Sequence, residues 1–182
     1  DAAVKLVDEV LAAVPNRPAR RILDLYSGSG LFGLTLAARG HTVTMVEENR
    51  QAMADAARNQ RVNRVPSSRL RLMCSRVEDA LPGAGRIAHS ARPTEQHCRH
   101  RADAAEVVIL DPPRAGVEAQ ALARLKTLAP SRIHYLSCDP ATLARDLAIL
   151  VGTEESPGPF QIYNINLFDI FPQTYHMEVL VR

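Results

Sequence analysis

The sequence predicts an α/β fold with a mostly parallel, seven-stranded sheet, helices on both faces and a closing antiparallel hairpin. Short apolar runs alternate with segments of helical periodicity, which is typical of a parallel sheet. A glycine-rich turn follows the first apolar run, and no helical segment separates the last two runs. With 182 residues, 46% of them hydrophobic, the chain is predicted to form one domain over residues 1–182.

The elements are predicted as follows. A helix over 4–14 comes first, because its apolar residues recur at helical spacing and Pro15 ends it. Strands are predicted at 21–25, 41–46, 70–73, 107–110 and 132–137, and each precedes a helix, at 31–38, 49–61, 77–81, 118–128 and 141–150. Strand-like runs at 160–167 and 175–181 predict the closing hairpin. Residues 82–105 lack periodicity and predict a mobile surface loop.

Composition narrows the function classes only slightly. The net charge of +2 and the isoelectric point near 8.6 permit a polyanionic partner without requiring one. Three widely spaced cysteines, with no signal peptide and no apolar run of membrane-spanning length, predict a cytoplasmic protein without a membrane partner. Residues of zinc-binding type occur within 89–100, but their spacing fits no closed zinc pattern, so no metal site is predicted.

The glycine-rich turn predicts a nucleoside site. Gly28, Gly30 and Gly33 match G-x-G-x-x-G between a strand and a helix, and Glu47 ends the next strand, where its carboxylate can accept both ribose hydroxyls. These glycines suit a dinucleotide or S-adenosylmethionine (SAM) equally well. Asp24 favours SAM, because a carboxylate there suits the ammonium of the methionine part and would repel a pyrophosphate.

Three further polar residues adjoin predicted strands. Asp111 follows a buried run and precedes two prolines and Arg114, a candidate phosphate contact. Cys138 follows the next strand, and the helix after it is expected to favour the thiolate through its dipole. Glu178 interrupts an apolar strand, so it either faces solvent or serves a site. A thiol, a carboxylate and a nucleoside site in one domain indicate covalent catalysis on a base.

Four segments in serial order, 24–32, 111–116, 137–146 and 169–178, resemble the motifs of the SAM-dependent uracil-5 RNA methyltransferases, which modify tRNA or 23S rRNA. The resemblance covers nearly the whole chain and implies a Rossmann-like class I methyltransferase fold. Compared with the family pattern, Ser27 replaces a frequent Cys and Asp139 a usual Asn.

The resemblance also implies roles for individual residues. Cys138 would be the nucleophile that adds to C6 of uracil, and Glu178 the base that removes the C5 proton. The positions assigned to SAM are Asp24, Tyr26, Gly28, Gly30, Leu31, Glu47, Arg76 and Asp111. Arg76 stands where the family usually has Asn or Asp.

Family members usually carry RNA-binding parts upstream, so the chain is expected to be a catalytic domain that acts as a monomer on rRNA or tRNA. Two alternatives stay open. The chain could be a fragment that binds SAM or RNA but needs its upstream parts for activity, or an NAD-dependent oxidoreductase, which the glycine turn alone would also fit. The second alternative leaves Cys138 and Glu178 without a role.

Overall fold

The computed structural model describes residues 2–16, 18–81, 105–170, 173–174 and 177–182. Its helices are α1 (Ala2–Ala12), α2 (Leu31–Ala38), α3 (Arg50–Val62), α4 (Val77–Ala80), α5 (Ala119–Leu128) and α6 (Pro140–Val151). Its strands are β1 (Arg21–Leu25), β2 (Thr42–Glu47), β3 (Leu70–Cys74), β4 (Val107–Leu110), β5 (Arg132–Ser137), β6 (Ile165–Phe168) and β7 (Glu178–Val181).

All seven strands form one sheet in the order β3-β2-β1-β4-β5-β7-β6. Strands β1 to β5 are parallel, and β7 is inserted antiparallel between β5 and β6. The carboxyl ends of the five parallel strands therefore share one edge with the start of β7. In such sheets ligands bind beyond this edge, where the strand order reverses. The predicted fold class is confirmed.

Helices cover both faces of the sheet because the central strands are apolar on both sides. In β4, Val107 and Ile109 belong to the core under α1, α2 and α3, whereas Val108 and Leu110 belong to the core under α5 and α6. These four side chains are almost completely buried, and each contributes roughly 2 kcal/mol of hydrophobic stabilisation. The strand ends that carry the polar residues are therefore held from both faces.

The hairpin is shorter than the sequence predicts. Strand β6 begins at Ile165 rather than at residue 160, because the backbone N–H groups of Tyr163 and Asn164 both donate to the carbonyl of Arg182 and the ladder ends there. Strand β7 begins at Glu178, and residues 175–176 lie outside the described part of the chain.

Two further predictions concern the loop over residues 82–105 and the presence of membrane-spanning helices. The predicted loop over 82–105 lies outside the described residues except for Ala105. Within the described ranges, no helix is both long enough and apolar enough to cross a membrane.

Candidate active site

The turn between β1 and α2 brings helix and strand into close contact. The Gly33 N–H donates to Asp24 Oδ2 over 2.8 Å. A Cβ at position 33 would lie 2.7 Å from that oxygen and 2.6 Å from Met45 Cγ, so only glycine fits. Gly30, with φ of 102°, occupies a conformation that side chains disfavour. Backbone geometry therefore favours glycine at position 30, and close packing favours it at position 33.

Two polar groups in this turn are buried without a partner in the described part of the chain, Asp24 Oδ1 and Ser27 Oγ. Asp24 is only 1% exposed. Burial raises the pKa of its carboxyl from 3.8 to about 7; the bond from Gly33 opposes this rise, and the charges of Asp111 and Glu47 add to it. Unsatisfied buried polar groups are costly, and they mark a place where a polar ligand could supply the missing partners.

Glu47 is fixed by the backbone on both sides of its carboxylate. Oε2 accepts from Gly28 N–H at 3.0 Å and Oε1 accepts from Asn49 N–H at 2.8 Å. Each carboxylate oxygen can accept a second hydrogen bond. The geometry therefore leaves one acceptor site on each oxygen, as a pair of ribose hydroxyls requires.

Tyr26 and Leu31, both expected at the cofactor, differ in what they present. Tyr26 has φ of 59°, unusual for a residue with a side chain, and its ring packs against the core under α5 and α6. Burial, followed by the charge of Glu78, raises the pKa of its phenol to about 12. Leu31 is 56% exposed at the start of α2, so its apolar side chain is available to a ligand.

Arg76 precedes α4 at its N-cap position, and its guanidinium pairs with the buried Glu78. The Glu78 carbonyl also accepts from Arg124 of α5. Arg76 therefore lies beyond the end of β3, near the expected adenine side, with its charge already paired.

Asp111, Cys138 and Glu178 come from three neighbouring strands. Asp111 follows β4, Cys138 follows β5 and Glu178 begins β7, which pairs with β5. Asp111 is open to solvent, yet enough protein surrounds it that desolvation raises the pKa of its carboxyl from 3.8 to about 6. Desolvation also raises the pKa of Glu178, the charge of Asp111 raises it further, and Arg114 lowers it. Asp111, Arg114 and Glu178 thus interact electrostatically, and Cys138 follows the strand between β4 and β7, at the edge where sheets of this kind form a ligand crevice.

The start of α6 is capped by the residue that follows Cys138. Asp139 is the N-cap, and its Oδ1 accepts from the N–H groups of Ala141 and Thr142, each at 3.0 Å. These bonds, led by that from Thr142, lower the pKa of Asp139. The N–H groups at the positive end of the helix are therefore already bonded to the carboxylate of the residue next to Cys138.

A buried hydrogen-bond network fixes the loop after β4, and the sequence analysis missed it. The centre is Asp146, which is fully buried in α6. Its Oδ2 accepts from Tyr135 Oη at 2.6 Å and from Val117 N–H at 2.7 Å, and its Oδ1 accepts twice from Arg145. Arg145 also donates to the carbonyl of Ala115 at 2.9 Å. The loop that carries Asp111 is therefore attached to the helix that follows Cys138.

Cys74 and the possible metal ligands lie apart from these groups or form no cluster in the described part of the chain. Cys74 is exposed at the end of β3, and its thiol lies 3.8 Å from the Glu48 carbonyl. The described ranges contain no group of three or more His, Cys, Asp or Glu side chains arranged to hold a metal ion. The zinc-type residues within 89–100 lie outside those ranges.

Comparison with solved structures defines the class of protein. The chain matches magnesium protoporphyrin IX methyltransferase from Synechocystis, solved with bound SAM, with a TM-score of 0.65 and 18% identity over 100% of this chain and 80% of that one. It matches a tRNA (uracil-54, C5)-methyltransferase from Pyrococcus abyssi, solved with S-adenosyl-L-homocysteine, with a TM-score of 0.73 and 31% identity over 98% of this chain and 37% of that one. The fold is that of the SAM-dependent methyltransferases.

Sequence comparison identifies the family within that class. The tRNA (uracil-5-)-methyltransferase profile matches residues 2–182, and the chain belongs to this family. It is 35% identical over 178 residues to the 23S rRNA (uracil(1939)-C(5))-methyltransferase RlmD of Pseudomonas putida, covering 96% of this chain and 34% of that protein. An uncharacterized RNA methyltransferase of Bifidobacterium longum is 38% identical over 87% of this chain and 32% of its own length.

The resemblance predicted from the four motifs is confirmed by this match. The chain spans about a third of the length of the curated relatives it matches. Membership of this family leaves the NAD-dependent oxidoreductase alternative without support.

Proposed function

We propose that this chain is the catalytic domain of an RNA uracil-5 methyltransferase that transfers a methyl group from SAM to C5 of a uridine in rRNA or tRNA. The observation that carries the proposal is the placement of Cys138 between Asp111 and Glu178, at the same sheet edge as the glycine turn. The proposed nucleophile and the proposed base therefore lie at the ends of adjacent strands, at the edge that carries the proposed nucleoside site. The family of the chain supports the same activity.

The residues of the β1–α2 turn fit SAM. Asp24 Oδ1 and Ser27 Oγ are buried polar atoms that lack a partner within the described ranges, and Glu47 keeps an acceptor site on each oxygen. We assign Asp24 to the ammonium side and Glu47 to the ribose hydroxyls. Gly28, Gly30, Tyr26, Leu31, Arg76 and Asp111 complete the proposed cofactor site. When bound, SAM supplies an electrophilic methyl group.

The chain's own residues then perform two steps on the base. Uracil C5 is a weak nucleophile, so the thiolate of Cys138 adds to C6 and places negative charge on the C5 side of the ring. C5 thereby becomes able to accept the methyl group. Glu178 removes the C5 proton, and elimination breaks the bond between sulfur and C6 and releases 5-methyluridine. The uridine must be unstacked, because C6 is unreachable within a helix.

The charges around Glu178 suit its proposed task. Desolvation and the charge of Asp111 raise the pKa of Glu178, while Arg114 limits the rise. A carboxylate with a raised pKa is a stronger base than an exposed one. Arg114 is also our candidate contact for an RNA phosphate.

The test combines binding with covalent capture. Calorimetry should show SAM binding and no NAD binding, and methyl from labelled SAM should enter total rRNA or tRNA. RNA that contains 5-fluorouridine should form a covalent adduct with the wild-type chain and none with Cys138→Ala. Adduct formation or turnover by Cys138→Ala would overturn the mechanism, and SAM binding without any transfer would favour the alternative that upstream parts are needed.

We also propose the substrate, the oligomeric state and the cellular location of the chain. RNA is the substrate, and the chain acts as a monomer on cytoplasmic RNA without a membrane partner. Sedimentation with and without RNA should give one copy per complex, and fractionation should place the full-length protein with the RNA of the cytoplasm.

A further inference from the structure

Positive charge is concentrated in one part of the chain. Residues 50–76 contain seven arginines and one acidic residue, Asp55, a net charge of +6, whereas the whole chain has a net charge of +2. The remaining chain is therefore net acidic. This segment comprises α3, the following turn and the edge strand β3.

The helical arginines share one face. Met53 and Ala56 turn toward the sheet and are buried, while Arg50, Arg58 and Arg61 are exposed. At about 100° per residue, these three lie within roughly 80° of one another around the axis and extend about 16 Å along it. We call these three residues the α3 basic face, and Arg64 continues it in the turn that follows.

In the described part of the chain, no ion pair neutralises the α3 basic face. Asp55, the single acid, accepts from Gln51 at 3.4 Å. Among the described residues, Arg50, Arg58, Arg61 and Arg64 form no ion pair. Uncompensated arginines on one face form the electrostatic footprint of a phosphate-rich partner, and the planar guanidinium can bind phosphate through two bonds.

The position of the α3 basic face suits a strand of RNA that reaches the crevice. Helix α3 begins just after Glu47, and Asn59 Nδ2 donates to the carbonyl of Ser29 in the glycine turn at 3.1 Å. Four strand spacings separate β3 from β5, about 19 Å. About six stacked nucleotides cover that distance at 3.4 Å each.

We propose that the α3 basic face binds the phosphate backbone of the RNA substrate to one side of the target uridine. The inference rests on the proposed function for the identity of the RNA. It assigns to the catalytic domain a substrate contact outside the crevice, independent of base sequence. Its contribution should appear in affinity and salt dependence rather than in the chemical step.

The test compares two triple variants with equal loss of charge. Arg50→Gln/Arg58→Gln/Arg61→Gln removes the face, and Gln preserves helix propensity. Lys5→Gln/Lys126→Gln/Arg132→Gln removes the same charge from α1, α5 and β5. Binding of a short fluorescein-labelled, single-stranded RNA that contains uridine is measured by anisotropy at several KCl concentrations.

For the first variant we expect at least about tenfold weaker binding and a slope of log affinity against log salt that is smaller by about 2, since three phosphate contacts are lost. The control should stay within about twofold of wild type. Equal binding by both variants, or no binding by wild type, would overturn the proposal.

Methyl transfer separates this proposal from the proposed function. With the first variant, KM for RNA should rise while kcat and the calorimetric SAM affinity stay unchanged. If wild type methylates RNA and the first variant behaves like the control, the α3 basic face has no role while the proposed function stands. If wild type binds RNA through the face but transfers no methyl, the proposed activity fails while the binding surface stands.

Discussion

The two halves of the sheet edge, the glycine-turn side and the Cys138 side, differ in how many hydrogen bonds their buried carboxylate accepts. Asp24, on the glycine-turn side, accepts one hydrogen bond, and its other oxygen has no partner in the described part of the chain. Asp146, on the Cys138 side, accepts four. A half-satisfied carboxylate gains a partner when a ligand arrives, whereas a saturated one fixes its surroundings. The glycine-turn half is therefore suited to binding a ligand, and the Cys138 half is suited to keeping its residues in a fixed position.

The largest expected effect tests whether the Cys138 half performs the chemistry. Glu178→Gln removes the proposed base but keeps the shape of the side chain. Methylated RNA should stay attached to Cys138 and turnover should fall about 10²–10⁴-fold, the usual value of a general base. Mass spectrometry of the trapped complex measures this, with Glu155→Gln, at an exposed position, as a control. Free product at the wild-type rate would assign proton removal to another group.

The second prediction tests whether the Asp146 network makes the Cys138 half rigid. Asp146→Ala should lower the free energy of unfolding by about 3 kcal/mol, because Tyr135, Val117 and Arg145 lose their acceptor. Tyr135→Phe, which removes one donor only, should cost about 1 kcal/mol. Urea unfolding gives both values. If the loop after β4 is positioned by Asp146, the rate of adduct formation should fall while SAM affinity is retained. If Asp146→Ala lowers the rate of adduct formation and the SAM affinity in parallel, the network has only a structural role.

A third prediction concerns the binding half and pH. Because Asp24 has a pKa of about 7 when folded and 3.8 as its ordinary value, the folded state retains its proton more tightly. Its contribution is therefore present below pH 4, declines as pH rises to about 7 and stays lost above it. Asp24→Asn should be more stable than wild type at pH 8 and similar at pH 4, by thermal unfolding.

The same variant separates stability from binding. The SAM ammonium would favour the ionised form of Asp24, so wild-type SAM affinity should increase between pH 6 and pH 8. Asp24→Asn should bind SAM more weakly and without this rise. Equal affinity and equal pH dependence in both proteins would remove Asp24 from the cofactor site.

The smallest expected effect concerns the boundary between the halves. Asp139→Asn keeps the N-cap, since Asn is an equally good cap, and removes a negative charge beside Cys138. The rate at which iodoacetamide alkylates Cys138 at neutral pH should rise by less than about tenfold, measured peptide by peptide in a Cys74→Ser background. A slower rate would show that Asp139 assists the reactivity of Cys138.

The sequence predicted the elements of both halves better than their internal bonding. Strands β1, β4 and β5 occur as predicted, and strand ends alone were enough to bring Asp111 and Cys138 to one edge. The Asp146 network joins residues 11 and 29 positions apart, which periodicity does not reveal. One signal was present, since Asp146 lies between Leu143 and Leu150 on the buried face of α6. The hairpin limits were wrong because partner strands, not local propensity, decide where a ladder ends.

The insertion of β7 between β5 and β6 has a consequence for biosynthesis. The proposed nucleophile is translated forty residues before the proposed base, and the sheet cannot close until β7 has been made and placed between its neighbours. A nascent or prematurely terminated chain that ends before Glu178 would carry Cys138 without the proposed base and without the strand that joins β5 to β6. The last strand synthesised is therefore needed both to close the sheet and to complete the proposed catalytic pair.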